Sequence, residues 1–308
     1  MSEPTTMDMV TNLVTRDANW RKRLDGLIPQ DVEAKHVLIV GCGSVGSFIA
    51  AELARSGVRK FTLVDPDIVE WANLTRTVYG HLDIGRNKAK ALQEHLQSVF
   101  TDIESAVLPV PIQQLGEQLV PILAGADLVI AAVDEPKANG LIDRYCYALK
   151  KTVVFVGLYK GAKGGEIIIT QPEQTPCFHC STGGVRNVVE DAGLEKVSRS
   201  ARDYGTNRLI AEVALGSDIH FVCCAAVKVI LSLLCRDGSA GRLQEFVAKQ
   251  LDEGCNFVML GMEPDYFLFP STHAAAVGQH AFQSIWAKTT CIPDCEVCGL
   301  PENRDNPV

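Results

Sequence analysis

The chain has 308 residues, enough for one large domain or two small ones and for a buried core that needs no disulfides. Its composition, 47% hydrophobic and 21% charged, is that of a globular protein and excludes a disordered, coiled-coil or collagen-like architecture. The formal charge of −8 argues against a broad nucleic-acid-binding surface, which needs clustered Lys and Arg. A local basic cleft for phosphate is still compatible with this charge.

The termini and apolar runs of the sequence indicate the compartment. The most apolar stretch, residues 219–234, is short for a membrane span and carries Lys228, so we interpret it as a buried core helix. Residues 1–14 lack the basic start and apolar run of a signal peptide. We therefore expect no membrane segment and a cytoplasmic protein whose 11 cysteines are reduced.

Apolar runs alternate with helical patterns along the first half of the chain. Residues 1–30 are polar and predict an N-terminal helix with a linker. The following patterns predict strands at 37–40, 60–64, 106–110, 127–133, 153–156 and 165–170, and helices at 47–56, 85–100 and 137–150. Because strands and helices alternate, we predict an α/β fold with a doubly wound, mostly parallel sheet.

The second half of the chain has a less regular pattern. Residues 181–217 are rich in Gly and charge and predict a mobile crossing segment before the core helix. Short strands are predicted at 257–260 and 266–269, and we expect the tail after Pro301 to fray. Residues 218–300 are interpreted as the C-terminal part of the same domain.

A glycine-rich turn follows the first predicted strand. Gly41, Gly43 and Gly46 form a GxGxxG motif before the first helix, where backbone N–H groups and the helix dipole bind phosphate. Asp65 ends the second strand nineteen residues after Gly46 and can accept hydrogen bonds from ribose hydroxyls. This context predicts nucleotide binding, and the alternative is a turn whose glycines only permit tight packing. The motif alone does not distinguish ATP from NAD.

Two further motifs follow the glycine turn: residues 65–76 read DPDIVEWANLTR, and residues 83–89 read DIGRNKA. Together with the GxGxxG motif, an aspartate ending a later strand and paired CxxC motifs, they make the chain resemble the ubiquitin-activating-enzyme-like superfamily, the ThiF/MoeB/HesA adenylyltransferases. The resemblance covers about residues 35–180 and the C-terminal cysteine pair. It implies a Rossmann-like nucleotide-binding adenylation core at 31–180.

The resemblance also implies an activity. It is the ATP- and Mg²⁺-dependent adenylation of the C-terminal carboxylate of a small ubiquitin-like or sulfur-carrier protein, with release of pyrophosphate. Catalytic roles fall on Arg76 and Lys88, which would hold the phosphates, and on Asp134, which would help to place Mg²⁺. The implied nucleotide-site residues are Gly41, Gly43, Gly46, Asp65, Asp67, Asn73, Arg76, Lys88 and Asp134. A glutamine that the family places after the motif arginine is Thr77 here.

Two CxxC pairs, Cys177 with Cys180 and Cys295 with Cys298, predict a structural zinc site. Four thiolates complete a tetrahedral Zn²⁺ shell and leave no position open for catalysis. The gap between the pairs is longer than in a zinc ribbon, so the metal would clamp distant segments. A redox pair or core cysteines are the alternatives.

A nucleophilic cysteine is harder to place. Many family members form a thioester or persulfide on a cysteine of the crossing segment, whereas residues 181–217 contain none here. Cys223 and Cys224 are expected to be buried in the core helix. Cys255 and Cys291 are the remaining candidates, and a direct transfer or a partner's cysteine is the simpler interpretation.

Several readings stay open at the level of sequence. The substrate could instead be a short peptide, another carboxylate or a tRNA, activated without a thioester. An NAD-dependent oxidoreductase and a nucleotide-binding pseudoenzyme are further alternatives. The resemblance implies a homodimer, a downstream conjugating or sulfur-transfer protein, and an arginine that reaches the partner's site, for which Arg16, Arg21 and Arg23 are candidates.

Overall fold

The computed structural model describes residues 19–183, 213–236, 242–263, 281–304 and 307–308. Arg16, most of the predicted crossing segment and the strand predicted at 266–269 lie outside these ranges. The following account therefore concerns the described residues.

Eight strands form one sheet in the order β3-β2-β1-β4-β5-β6-β7-β8. The strands are β1 His36–Val40, β2 Lys60–Val64, β3 Glu104–Leu108, β4 Leu128–Ala131, β5 Val153–Leu158, β6 Gly164–Thr170, β7 Cys255–Gly261 and β8 Gln283–Lys288. The helices are α1 Ser44–Arg55, α2 Lys88–Val99, α3 Leu119–Gly125, α4 Pro136–Ala148, α5 Gly216–Leu234 and α6 Ala248–Asp252. Strands β1 to β5 are parallel and β6 to β8 are antiparallel, which confirms the predicted α/β class.

Helices cover both faces of the sheet. On β1, Ile39 packs with α1, α2 and α5 on one face, while Leu38 packs with α3 and α4 on the other. Both side chains are fully buried, as expected for central parallel strands with continuous apolar sequence. The strand order reverses between β1 and β4, and doubly wound folds bind ligands in the crevice at such a point.

The antiparallel strands determine where the CxxC pairs lie. The parallel strands end at one edge of the sheet, which we call the carboxyl edge. Strand β6 runs back from it, because Gly165 pairs with Leu158 and Thr170 pairs with Val153. Strand β8 also ends away from the carboxyl edge, with Lys288 opposite Cys255. Both CxxC pairs follow these strand ends, so they lie at the opposite edge.

Helix α5 is a core helix, as predicted. By length and composition alone its 19 residues could span a membrane. Val222 and Cys223 are fully buried, and the Cys223 Sγ lies 3.9 Å from the Val45 carbonyl oxygen of α1. Lys228 is exposed and lies over the Phe246 ring at 4.2 Å. Cys224, however, is exposed rather than buried, because one step of 100° turns it away from the face of Cys223.

Only the end of the N-terminal segment is described, so the helix predicted within residues 1–30 stays a prediction. Residues 19–27 form turns, and a 3₁₀ helix follows at Gln30–Ala34. The Arg59 guanidinium lies over the Trp20 ring at 4.5 Å, and the Phe100 ring meets the Trp20 ring in a T-shaped arrangement at 5.6 Å. Tertiary contacts therefore set the path of this segment.

The chain after Pro301 is ordered through residue 304, contrary to the expected fraying. Pro301–Asn303 form a 3₁₀ turn. The Arg304 Nε then donates to the Gly299 carbonyl at 2.8 Å. This contact fastens the tail to the second CxxC pair.

Candidate functional site

The glycine turn between β1 and α1 is shaped by close backbone contacts. Gly41 has φ +92°, and a Cβ there would lie 2.4 Å from the Ala132 carbonyl oxygen. A Cβ on Gly46 would lie 1.8 Å from the Gly41 carbonyl oxygen. Around Gly43, by contrast, an added Cβ meets nothing within 4 Å. Two glycines thus close the turn, and the third faces open space where a phosphate can approach the backbone.

Asp65 fastens this turn to the end of β2. Its carboxylate accepts hydrogen bonds from the backbone N–H of Cys42 at 2.6 Å and of Asp67 at 2.8 Å. The residue is 5% exposed. Burial raises the pKa of the Asp65 carboxyl, and the two backbone hydrogen bonds offset part of that rise. The acid predicted to hold ribose therefore also organises the loop.

The start of α2 completes this side of the site. Lys88 forms an ion pair with Asp67 at 2.9 Å, so two predicted site residues meet directly. Asn87 caps the helix by accepting from the Lys90 N–H, and its amide donates to the carbonyl of Asp65. Asn87 was not among the predicted site residues, although an Asn directly before a helical pattern is an N-cap signal.

Tyr79 is a second residue that the sequence analysis missed. It is 5% exposed, and its hydroxyl lies 2.6 Å from the Cys42 carbonyl and 3.1 Å from the Lys88 carbonyl. Burial raises its pKa, so it remains a neutral hydrogen-bond donor. Its position between the two motifs was the available signal.

The remaining predicted residues lie in the segments that follow β4 and β2. Asp134 is exposed and follows β4, two residues after Ala132, whose carbonyl abuts Gly41. Asn73 uses its side chain to cap its own 3₁₀ turn by accepting from the Glu70 N–H. Arg76 is half-buried at the end of that connection, beside Gly216 at the start of α5.

This edge suits a nucleoside triphosphate. Helix α1 begins without a side-chain cap, so its first N–H groups are available to an anion. Arg76 and Lys88 supply cations, and Asp65, Asp67 and Asp134 supply carboxylates. The Oδ1 of Asn139, one turn into α4, is buried and accepts no hydrogen bond among the described residues. Carboxylate and carbonyl oxygens are the ligands that Mg²⁺ prefers.

The four predicted zinc ligands are brought together at the opposite edge. The Sγ atoms of Cys177, Cys180, Cys295 and Cys298 all lie within 4.8 Å of one another, and all four residues are buried. This donor set fits a closed tetrahedral Zn²⁺ site. Asp143 lies against the cluster, where burial raises the pKa of its carboxyl to about 6.

The nucleophile candidates do not lie at the nucleotide site. All 11 cysteines of the chain fall within the described residues, and all are free thiols. Cys255 begins β7 at the edge opposite the glycine turn. The Cys291 Sγ lies 3.2 Å from the Cys298 Sγ, at the same edge. Neither of these two candidates therefore lies beside this chain's own glycine turn.

Comparison with known proteins places these motifs in a family. Residues 18–260 match the model of the ThiF family. The chain belongs to the ThiF family. Its cysteine cluster, sheet order and glycine turn are consistent with this assignment.

Two curated relatives illustrate the range of the family. The chain is similar to ubiquitin-like modifier-activating enzyme 5 of Arabidopsis thaliana, at 31% identity over 47% of this chain and 37% of the relative. It is also similar to the ATP-dependent ubiquitin transferase-like protein Cap2 of Enterobacter hormaechei, at 40% identity over 28% of this chain and 15% of the relative. The chain therefore spans less than half the length of these relatives.

Solved structures share the fold. Escherichia coli MccB bound to AMPCPP and MccA superimposes with a TM-score of 0.61 over 87% of this chain and 68% of that chain, at 17% identity. MccB bound to ATP gives a TM-score of 0.60 over the same shares. At this identity the likeness concerns the fold.

Proposed function

We propose that the protein adenylates the C-terminal carboxylate of a small ubiquitin-like or sulfur-carrier protein at the expense of ATP. The observation that carries the proposal is the carboxyl edge itself. There, the glycine turn, Asp65 and the Lys88–Asp67 pair are joined by direct contacts within a ThiF-family chain. Named relatives that act on ubiquitin-like modifiers support the substrate class.

In this reaction, a substrate carboxylate oxygen attacks the α-phosphorus of ATP, and the bond to the bridging oxygen of the pyrophosphate breaks. The products are an acyl-adenylate and pyrophosphate, which keeps the leaving electron pair. Negative charge shifts onto the departing phosphates, so catalysis depends on cations already placed there. Mg²⁺, when bound, neutralises part of this charge.

The chain's residues divide this work. The α1 N-terminus and the open side of Gly43 would bind the phosphates. Lys88 and Arg76 would stabilise the phosphate oxygens, and Asp134 at the end of β4 would hold the metal. Asp65 keeps the turn closed through the Cys42 N–H, and its carboxylate would also accept hydrogen bonds from the ribose hydroxyls.

The acyl-adenylate would react with a nucleophile from outside this chain. Cys42 is fully buried, and burial raises its thiol pKa well above the usual range, which disfavours a nucleophilic thiolate. Cys224 is exposed, but its partial burial and the nearby Glu52 carboxylate raise the pKa of its thiol, which also disfavours the thiolate. An incoming thiol or amine of a partner protein is the simpler acceptor.

A short peptide is the second candidate substrate. The specific observation in its favour is the fold shared with MccB, whose solved structures include complexes with MccA. An NAD-dependent oxidoreductase is no longer favoured, because the ThiF family accounts for the same glycine turn and acid.

We infer that the active form is a homodimer in the cytoplasm. Eleven free thiols suit a reducing compartment. Of the arginines considered for the partner's site, Arg21 is bound within its own chain, to Glu33 at 2.9 Å and to the Ile28 carbonyl at 2.8 Å. Arg23 is exposed and is the better candidate among the described residues.

Intact mass spectrometry of the products tests the substrate class. The protein is incubated with ATP, Mg²⁺ and either a carrier protein ending in Gly-Gly, the same carrier lacking that ending, or a short peptide. We expect an AMP adduct on the complete carrier only. An adduct on the peptide only would favour the second candidate, and no adduct with any carboxylate would overturn the proposal.

A further inference from the structure

Helix α4 links the two edges of the sheet. It begins at Pro136, just after Asp134, and its 13 residues reach about 20 Å at the usual helical rise. Ala138 and Ile142 are buried against the sheet and fix the helix to the core. One end of this helix therefore adjoins the nucleotide edge, and the other reaches the cysteine cluster.

Asp143 makes the first contact between α4 and that cluster. It is 1% exposed, and its carboxylate accepts hydrogen bonds from the backbone N–H of Phe178 at 2.9 Å and of His179 at 3.2 Å. The first N–H groups of a helix have no partner within it, so Asp143 caps the helical turn at 178–183 from a distant element.

Tyr147, one turn later on α4, makes the second contact. Its hydroxyl lies 3.3 Å from both the Thr175 carbonyl and the Glu173 N–H, and its ring packs against the four cysteines. The Arg304 guanidinium lies 6.0 Å over that ring, and Arg304 holds the Gly299 carbonyl. Both CxxC pairs are thus tied to α4.

A buried carboxylate is costly unless hydrogen bonds satisfy its oxygens. Both oxygens of Asp143 are used by the turn that carries Cys177 and Cys180. Groups that orient metal ligands in this way typically change metal affinity by about 10- to 100-fold when removed. Holding that turn in place would explain why a carboxylate is buried at this position.

We propose that Asp143 is a positioning residue for the zinc-binding turn, and that α4 thereby links zinc binding to the position of Asp134. The positioning role is independent of the reaction. The link to Asp134 rests on the proposed adenylation, since it assigns Asp134 to the nucleotide-bound metal.

The rate of zinc release from the zinc-loaded full chain to a chromogenic chelator tests the positioning role. Asp143→Ala removes both acceptor oxygens, and we expect release to accelerate by about 10- to 100-fold. Asp143→Asn keeps one acceptor oxygen and should give an intermediate rate. Cys146→Ala is the matched control, because Cys146 is fully buried on the same helix outside the cap; its rate should equal that of the wild type.

If Asp143→Ala does not fold, the rate of zinc release from the isosteric Asp143→Asn tests the positioning role. Release from it at the wild-type rate would overturn the role of Asp143. Acceleration equal to that of Cys146→Ala would do the same, because it would reflect general loss of stability.

Binding of a fluorescent ATP analogue in the presence of Mg²⁺ tests the link. We expect zinc-loaded Asp143→Asn to bind the analogue more weakly than the wild type, and the difference to vanish in an Asp134→Ala background. Unchanged binding in a variant that releases zinc faster would overturn the link. If the wild type binds no ATP, the proposed function fails, while zinc release still decides the role of Asp143.

Discussion

At the scale of single residues, the three glycines of the turn have different tasks. A Cβ at Gly46 would lie 1.8 Å from the Gly41 carbonyl oxygen, whereas a Cβ at Gly43 meets no protein atom within 4 Å. We expect Gly46→Ala to lower the free energy of unfolding by about 1–3 kcal/mol or more, because the backbone must shift. Gly43→Ala should unfold like the wild type but bind ATP about tenfold more weakly or worse. Its methyl group would occupy the space through which a phosphate oxygen reaches the backbone N–H groups, so a charge-assisted hydrogen bond would be lost.

Thermal melting and ATP titration of the two variants check this pair. Each variant serves as the control for the other. Tight ATP binding by Gly43→Ala would show that no phosphate approaches the turn on that side.

The Asp65 carboxyl predicts a pH dependence with a definite sign. Burial raises its pKa above the ordinary value of 3.8, so the folded protein holds this proton more tightly than the unfolded chain. The contribution of Asp65 to the free energy of unfolding therefore falls as pH rises from below 3.8 through the folded pKa. Asp65→Asn removes this dependence.

Urea unfolding at a series of pH values measures the effect. The stability of Asp65→Asn relative to the wild type should rise across that window and level off above it. A difference that stays constant with pH, or changes in the opposite direction, would contradict the assigned burial.

At the scale of elements, Asn256 joins β7 to the two segments that carry the CxxC pairs. It is fully buried and donates to the Ser181 hydroxyl at 2.9 Å, while its Oδ1 accepts from the Thr289 hydroxyl at 2.7 Å. We expect Asn256→Ala to cost about 1–3 kcal/mol in the free energy of unfolding, because it leaves buried polar groups unpaired. ATP binding at the other edge should be unchanged.

Cys255→Ser, at the neighbouring half-buried position, is the matched control for this experiment. Urea unfolding and ATP titration supply the measurements. Weakened ATP binding in Asn256→Ala, with an unchanged free energy of unfolding, would contradict the prediction.

The strands and helices also show how much of the fold could be predicted from the sequence. Continuous apolar runs located β1, β2, β4 and β5, because central parallel strands are buried on both faces. The sequence did not indicate β8, whose residues are half-buried or exposed and give no clear alternation. Helix α2 begins at Lys88 rather than Gly85, since Gly85 has φ +81° and belongs to the preceding turn.

For the candidate site, the motifs named Asp67 and Lys88, which form an ion pair in the structure, and predicted the gathering of the four cysteines. The contacts of Tyr79 and Asp143 could not be predicted in the same way. Each joins segments that are adjacent only after the sheet has formed, and neither belongs to a spacing pattern.

At the scale of the whole molecule, the fold separates its two chemical centres. A strand of five residues spans about 16 Å, so the cysteine cluster and the glycine turn are separated by about the length of a strand or more. We expect the triple variant Cys224→Ser, Cys255→Ser and Cys291→Ser to form acyl-adenylate at the wild-type rate. Quenched-flow assays of AMP adduct formation check this, and a strong loss of rate would place one of these thiols at the reaction.

Exchange of labelled pyrophosphate into ATP tests the central claim most directly, because it reports reversible adenylation without requiring the final acceptor. The assay compares the wild type, Asp134→Ala and, as an exposed carboxylate at the start of β3 on the opposite edge of the sheet, Glu104→Ala. We predict exchange that depends on the carrier's C-terminal carboxylate, persists in Glu104→Ala and is lost in Asp134→Ala. Tight ATP binding without exchange for any carboxylate substrate, or exchange that survives Asp134→Ala at full rate, would contradict this account.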